Sequence, residues 1–184
     1  MILAVFAAVG LALVSGCTTT GAGSDPAARR ANINTSVDRA LEDLYRQVQG
    51  SRELVGQARG VLVFPDVLRA GFMFAAAHGQ GALRVRGATR SYHVTTSGSF
   101  GIQAGAQSTA VFLLFMTQDA LDRFQNSTGW QIGADASVTL IAVGANAAVS
   151  TTTAQQPVIG FVLSNRGLMA GLSLDGTRIG RLEL

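Results

Sequence analysis

Side chains suited to nucleophilic or metal chemistry are few in this sequence of 184 residues. They comprise two histidines, His78 and His93, and a single cysteine, Cys17. This set cannot supply the four nitrogen or sulfur ligands of a typical structural zinc site. The sequence has no Gly-x-Ser-x-Gly motif to present a nucleophilic serine, and without any lysine it has no Walker A loop. We therefore expect no enzyme activity, no metal ion and no cofactor, and we expect both histidines to be hydrogen-bonded strand or turn residues.

Arginine supplies all the basic side chains of the chain. The sequence has 14 arginines against 11 acidic residues, which gives a formal net charge of +3. So small a charge favours an anionic surface as a partner only weakly, and nucleic acid is not expected. Seven arginines in two groups are candidates to bind lipid: Arg29, Arg30, Arg39 and Arg46, and then Arg84, Arg86 and Arg90.

The second group of arginines is placed by strand alternation. Arg84 and Arg86 alternate with apolar residues, so we expect their side chains on one face of a strand, with Arg90 in the turn beyond. Such a strip either binds an anion or is a solvated strand face whose charges discourage edge pairing.

The first residues are typical of a secreted protein that becomes lipid-modified. Residues 2–14 form an apolar run that is too short to span a bilayer but has the length of a signal-peptide core. Residues 13–17, Leu-Val-Ser-Gly-Cys, resemble the bacterial lipobox. We expect residues 1–16 to be a lipoprotein signal peptide and Cys17 to carry acyl chains such as palmitate.

Acylation at Cys17 predicts a place in the bacterial cell envelope. Each buried methylene group contributes about 0.8 kcal/mol, so several acyl chains hold a protein durably to a membrane. Thr18, rather than aspartate, follows the cysteine, which favours the outer membrane, with the protein facing the periplasm or the surface. The alternative is a cytosolic chain in which residues 2–14 form a buried helix and Cys17 is an ordinary core residue.

A tether and an amphipathic helix are predicted next. Residues 17–34 are expected to form the lipidated N-terminus and a flexible tether, because residues 18–28 are small and polar. A helix is predicted over 36–49, since apolar residues from Val37 to Val48 recur at spacings of three and four. Thr35 and Asp38 have the spacing of a capping box, and Gly50 marks the end of the helix.

The polar side of this helix has two interpretations. Its charges are mixed in sign, which favours a helix that lies on the core with a solvated back. Arg39 and Arg46 on the helix, with Arg29 and Arg30 just upstream, instead favour contact with a membrane surface.

The chain beyond residue 59 is predicted to be mostly β. Short apolar runs bounded by turn residues predict strands over residues 61–64, 71–77, 82–86, 92–96, 100–107, 109–116, 136–143, 145–152, 158–163, 168–174 and 177–182. Short connections favour antiparallel pairing, and frequent Gly and Ala indicate strong curvature or close approach of packed sheets. Asp175 and Gly176 predict a hairpin turn.

Two further helices complete the predicted fold. A short one is predicted over 51–58, and another over 118–125 with Thr117 as its N-cap. The expected class is therefore α+β: a mostly antiparallel, curved sheet, sandwich- or barrel-like, with an N-terminal amphipathic helix and one helix inserted near residues 118–125.

Several separated blocks of the sequence resemble the SYLF family, which is also described as the Ysc84-like lipid-binding domain. The blocks are residues 58–65, 70–72, 79–81, 92, 98–107, 116–117, 124, 129–133 and 165–176. The resemblance implies a lipid-binding domain over residues 35–184. It further implies contact with phosphoinositide-bearing membranes through an N-terminal helix, which corresponds here to residues 36–49, and in some members binding to actin filaments.

The sequence thus predicts a lipid-anchored, non-catalytic envelope protein that binds membrane lipids, with anionic phospholipids as candidate partners. The alternative is a structural or adhesive envelope protein whose β body binds a protein or a glycan. A small outer-membrane β-barrel is disfavoured, because aromatic residues make up only 7% of the chain and residues 109–116 are apolar on both faces. No particular protein partner is indicated.

Overall fold

The structure, a computed structural model, describes residues 25–71, 74–100, 105–141, 156–164, 167–168 and 173–184. The predicted signal peptide, Cys17, residues 18–24 of the predicted tether and the predicted strand over 145–152 lie outside the described residues.

Two helices open the described chain. Helix α1 spans Pro26–Gln47 and helix α2 spans Ser51–Gln57, with Gly50 between them in a left-handed conformation (φ 81°). The Asp25 carboxylate accepts a hydrogen bond from the backbone N–H of Ala27 at 3.0 Å and so caps α1. Pro26 suits the first turn because its missing N–H would have no partner there.

Helix α1 therefore begins earlier than the sequence analysis predicts. Residues 26–34, which are expected to belong to a flexible tether, are helical, and Thr35 lies inside the helix instead of capping it. The extension has a physical basis, because Ile33 adds a buried apolar contact one turn before Val37. The Asp25 cap supplies the start signal that the prediction assigns to Thr35.

A curled, mostly antiparallel sheet and one helix form the rest of the described chain. The elements are β1 (Gly60–Gly71), β2 (Phe74–Val85), β3 (Ala88–Phe100), β4 (Gly105–Phe115), α3 (Gln118–Asn126), β5 (Gly129–Gln131), β6 (Thr139–Leu140), β7 (Val158–Ser164), β8 (Gly167–Leu168) and β9 (Arg178–Leu182). The sheet order is β5-β9-β3-β2-β1-β4-β7-β6, and β8 pairs with β7. All of these pairs are antiparallel except β6 with β7. The predicted α+β class is confirmed, as a half-barrel with an N-terminal helix.

The curl of the sheet has a local cause where β1 meets β2. Pro65 lies in β1, and there the register of β1 shifts against both neighbouring strands, as expected for a residue without a backbone N–H to donate. Across from it, a methyl group on Gly81 would lie 2.7 Å from Phe64 Cδ1 and closer still to the carbonyl oxygen of Val63. Gly81 thus lets β1 and β2 of one sheet approach closely, and the curled sheet confirms the predicted strong curvature.

Both faces of the sheet are covered by apolar side chains. One face packs against α1 and α2 through Ile33, Val37, Ala40, Leu44, Val48, Leu54, Val61, Val63, Phe112, Leu114, Ile159, Phe161 and Leu163. The opposite face packs against α3, β5 and β9 through Leu62, Phe64, Leu83, Leu113, Phe115, Leu121, Phe124, Trp130, Ile132, Leu174 and Ile179. Strands that are buried on both faces have continuous apolar sequences. For this reason the apolar residues of β1, β4 and β7 occur in runs and do not alternate with polar ones.

Some predicted boundaries are confirmed and others are wrong. Helix α3 is capped by Thr117, whose hydroxyl accepts from the N–H of Ala120 at 3.2 Å, as predicted. The predicted strand over 71–77 is instead divided between two strands, since Gly71 ends β1, residues 74–77 begin β2, and Gly71 pairs with Ala75. Strand β5 is missing from the prediction because three residues are too short to show a period.

Candidate functional site

The outward side of α1 is the surface that the sequence analysis assigns to lipid. Val37 and Leu44 of α1 are fully buried against the sheet. Arg39 and Arg46 are exposed and lie about two turns apart on the opposite side of the helix. Arg46 forms an ion pair with Asp43, and both side chains are well exposed, so the pair contributes little to stability. The helix thus combines a buried apolar side with a solvated side that carries two arginines.

The first turns of α1 carry the other two arginines of this group. The guanidinium of Arg30 donates a hydrogen bond to the backbone carbonyl oxygen of Leu184. Arg29 is half-buried, and its backbone N–H donates to Asp25 O at 3.0 Å. Arg30 therefore helps to hold the start of α1 against the residues that follow β9.

Arg84 is engaged by α1 and does not face solvent. Its Nη2 lies 2.6 Å from Asp38 Oδ1 and 3.4 Å from the carbonyl oxygen of Asn34, and its side chain is 15% exposed. The Asn34 side chain also donates to the Tyr92 hydroxyl at 3.0 Å and accepts from the Thr89 hydroxyl at 2.8 Å. This polar cluster joins α1 to β2 and β3, which gives Arg84 a structural role.

The predicted strip of Arg84, Arg86 and Arg90 is not formed. Strand β2 ends at Val85, and Arg86 (φ 52°) and Gly87 (φ 80°) form the turn to β3. Arg90 lies within β3 and not in the turn. Thr89 pairs with Arg84 while Ser91 pairs with Leu83, so Arg90 is the extra residue of a β-bulge. The predicted strip requires a strand that continues through residue 86. The turn at residues 86–87 ends the strand earlier, so the three side chains do not share one strand face.

A groove runs between α1 and the strands beneath it, with a volume of about 450 Å³. Arg39 and Asp43 line it from the helix, and Asp66 and Ser108 line it from β1 and β4, where Ser108 donates to the Asp66 carboxylate. One arginine facing two aspartates gives the groove no excess of positive charge. We therefore do not assign an anionic ligand to it.

The two histidines lie in strands. His93 is buried in β3 and forms a hydrogen bond between its Nε2 and the Ser91 hydroxyl at 2.8 Å, as predicted for a hydrogen-bonded strand residue. His78 is exposed in β2. Within the described ranges no three His, Cys, Asp or Glu side chains are close enough together to hold a metal ion.

No helix among the described residues is long and apolar enough to cross a membrane.

Comparison with known families gives a match that begins near the end of β3 and runs to the end of β9. Residues 96–182 match the family model described as Ysc84: Las17-binding protein actin regulator. Over these residues the chain is similar to the Ysc84 family. A search of curated proteins gives no match to the chain.

The Ysc84 match confirms the SYLF resemblance over residues 96–182. It covers β4, α3 and the strands from β5 to β9, while α1 and the Arg84 cluster precede it. The Ysc84 family indicates a lipid-binding or actin-related role.

Three residues near the predicted candidates are not identified from the sequence: two that contact Arg84 and one that pairs with His93. Asp38 and Asn34 reach Arg84 from across the sheet–helix boundary. Arg181 of β9 is the cross-strand partner of His93 on β3. No local sequence pattern points to Asp38 or Asn34 as a partner of Arg84. For Arg181 there is one, because Ile179 and Arg181 are two residues apart in a strand and therefore lie on the same face.

Proposed function

We propose that this protein is a lipid-anchored, non-catalytic protein of the bacterial envelope that contacts membrane phospholipids through the outward side of α1, which precedes the Ysc84-like residues. The observation that carries the proposal is the position of α1. It begins nine residues after Cys17 and presents Arg39 and Arg46 on the side away from the core.

The distance between the predicted anchor and the helix is short. A fully extended chain spans at most about 3.6 Å per residue, so nine residues reach roughly 32 Å. An acylated Cys17 therefore keeps the start of α1, with Arg29 and Arg30, within that distance of the bilayer. Thr18 supports the outer membrane as the location.

The acyl chains provide most of the affinity in this proposal. A basic residue near an anionic leaflet contributes on the order of 1 kcal/mol, and Glu42 and Asp43 on the same helix offset part of that gain. Acyl chains contribute about 0.8 kcal/mol for each buried methylene group. The arginines of α1 therefore set which side of the domain faces the membrane, and the anchor holds it there.

The apolar side of α1 does not insert into the bilayer in this proposal. Ile33, Val37, Leu44 and Val48 are buried against the sheet. Insertion would leave the apolar sheet face beneath the helix, including Phe112, Leu114, Ile159 and Phe161, open to water, which costs roughly 6–12 kcal/mol for four such side chains at 1.5–3 kcal/mol each. Because that cost exceeds what the arginines return, the helix stays on the sheet and the contact with lipid is electrostatic.

Hydrogen–deuterium exchange of the acylated mature protein, which begins at Cys17, tests the proposal. The protein is reconstituted in phosphatidylcholine vesicles with or without phosphatidylglycerol. We expect slower amide exchange over residues 26–47 in the anionic vesicles, and loss of that difference in the double variant Arg39→Gln/Arg46→Gln. The control is Arg123→Gln, which removes an exposed, ion-paired arginine from α3 on the other face of the sheet.

Equal exchange of α1 in the two kinds of vesicle would contradict a headgroup contact at this surface. The same measurement can be made after envelope extract is added. Slower amide exchange in the β strands only, together with no effect of lipid on α1, would instead support the alternative of a structural or adhesive protein. The exposed Leu68 on β1 is the observation that favours that alternative.

A further inference from the structure

A small cavity, the His93 pocket, lies on the sheet face opposite α1. It lies between β3, β9 and the C-terminal end of α3. Its polar lining comprises Arg90, Ser91, His93, Gln125, Ser127, Thr128 and Arg181, of which the two arginines are exposed to solvent. The imidazole of His93 packs on the ring of Phe124, with 4.9 Å between the ring centres, which forms the apolar floor. The volume of about 80 Å³ has room for roughly five water molecules, which is enough for a tetrahedral oxyanion.

The strand geometry explains why two arginines meet at this pocket. Ser91 and His93 share one face of β3, and Arg181 is the cross-strand partner of His93 on β9. Arg90 would face the other way in a regular strand, but it is the extra residue of the β-bulge, and bulges redirect side chains. The bulge thus lets Arg90 line the pocket together with Arg181.

The histidine itself brings no charge to the pocket at neutral pH. The pKa of His93 is lowered to about 4, chiefly by burial and also by the charge of Arg181, while a backbone hydrogen bond at Gly180 partly opposes both effects. The Ser91 hydroxyl lies 2.8 Å from His93 Nε2 and holds the ring in place. The two arginines therefore face a neutral ring.

The negative charge close to these arginines is small. Glu183 approaches Arg181 with 3.4 Å between Oε1 and Nε, but both side chains are largely exposed, so water weakens the pair. Among the residues that the structure describes, no carboxylate forms an ion pair with Arg90. The C-terminal end of α3 contributes about half a negative unit charge, and its Phe124 carbonyl oxygen already accepts from Ser127. The two arginines together still carry more charge than Glu183 and this helix end combined.

We propose that the His93 pocket binds a phosphate group, with the guanidinium groups of Arg90 and Arg181 as charged donors and the Thr128 hydroxyl as a neutral donor. Arginine suits this ligand because its planar fork donates two parallel hydrogen bonds to phosphate oxygens. The phosphate comes either from a phosphate-bearing lipid headgroup or from a soluble phosphate. The pocket does not depend on Cys17 or on the outward side of α1, so this proposal is independent of the proposed membrane contact.

Nuclear magnetic resonance of the His93 imidazole tests the proposal in the full-length protein. One arm titrates inorganic phosphate at constant ionic strength. A second arm reconstitutes the protein in phosphatidylcholine vesicles with or without phosphatidic acid. We expect a saturable shift of the His93 resonances and a rise in its pKa when phosphate is bound, since an anion stabilises the protonated ring. A response to inorganic phosphate indicates a soluble source, and a response to phosphatidic acid alone indicates a headgroup.

Matched variants separate the pocket from a general effect of charge. Arg90→Gln and Arg181→Gln are expected to weaken the apparent affinity about tenfold each. Arg178→Gln removes the same charge from β9 at a residue that does not line the pocket, and we expect a change of less than twofold. Absence of a saturable His93 response in both arms overturns the proposal. An equal loss in Arg178→Gln overturns it as well.

Discussion

The guanidinium of Arg84 on β2 lies 2.6 Å from the carboxylate of Asp38 on α1, across 46 residues of sequence. The arginine is mostly buried and the aspartate mostly exposed, with side-chain exposures of 15% and 62%. This pair and the neighbouring Asn34 hydrogen bonds fasten the helix to the sheet. An arginine that the sequence offers as a lipid ligand is therefore part of the scaffold that holds α1 with its arginines outward.

Removal of the partner of a buried charge is expected to be costly here. Asp38→Ala should lower the free energy of unfolding by about 1–2 kcal/mol, because the Arg84 guanidinium stays buried with a weaker partner. Asp43→Ala is the matched control, since its partner Arg46 is 73% exposed, and it should cost less than about 0.5 kcal/mol. Chemical denaturation measures both. Equal losses in the two variants would show that the Arg84 pair does not fasten the helix.

Glycine in β2 is expected to be required by the close approach of β1. Gly81→Ala should lower the free energy of unfolding by about 2 kcal/mol or more, since the new methyl group would overlap Phe64 and the Val63 carbonyl. The control is Gly98→Ala in β3, where no atom lies within 4 Å of the added carbon. We expect that variant to stay within about 0.5 kcal/mol of the parent. If thermal unfolding gave the two variants the same stability, the account of the curl would be wrong.

Protonation of His93 is expected to destabilise the fold as the pH falls. The pKa of His93 is about 4 in the folded protein and near 6.5 in an unfolded chain, so between these values the unfolded chain binds more protons. Stability is therefore complete above about pH 6.5 and declines towards pH 4, by on the order of 2 kcal/mol between pH 7.5 and pH 5.

Two histidine variants check the source of this pH dependence. His93→Gln should remove this part of the slope of unfolding free energy against pH. His78→Gln, which changes an exposed histidine of β2, should keep it. Retention of the full slope in His93→Gln would assign the pH dependence to other groups.

The turn between β2 and β3 offers a stabilising substitution. Arg86 has a φ of 52°, a region that asparagine adopts more readily than arginine, especially before glycine in a two-residue hairpin turn. Arg86→Asn should raise the free energy of unfolding by about 0.5–1 kcal/mol. Arg86→Ala removes the same charge without suiting the backbone and should give no gain. If both variants gained the same amount of unfolding free energy, the cause would be the loss of the Arg86 charge and not the backbone conformation.

Elements with strong local signals are the ones that the sequence predicts well. The apolar spacing of α1, the Thr117 cap of α3 and the apolar runs of β1, β4 and β7 all have a short-range origin, and they are recovered. The start of α1 is missed because residues 26–32 carry no apolar period, so the Asp25 cap and Pro26 are overlooked as its signal. Local patterns therefore determine the elements but not all of their ends.

Side-chain placement depends on pairing between distant parts of the chain. The Arg84–Asp38 contact cannot be predicted, because nothing near either residue specifies the other. The bulge at Arg90 is equally hidden, since it arises from the register of β2 against β3. For this reason the sequence identifies candidate arginines but groups them incorrectly.

Mass spectrometry of the native protein's N-terminus tests the central claim most directly, namely that the Ysc84 domain is held at a membrane by acyl chains on Cys17. The protein is isolated from the membranes of its producing cells and digested, and its first peptide is sequenced. We expect that peptide to begin at Cys17 and to carry a diacylglycerol thioether on the sulfur. A first peptide that still contains residues 1–16, with an unmodified Cys17 thiol, would contradict the account.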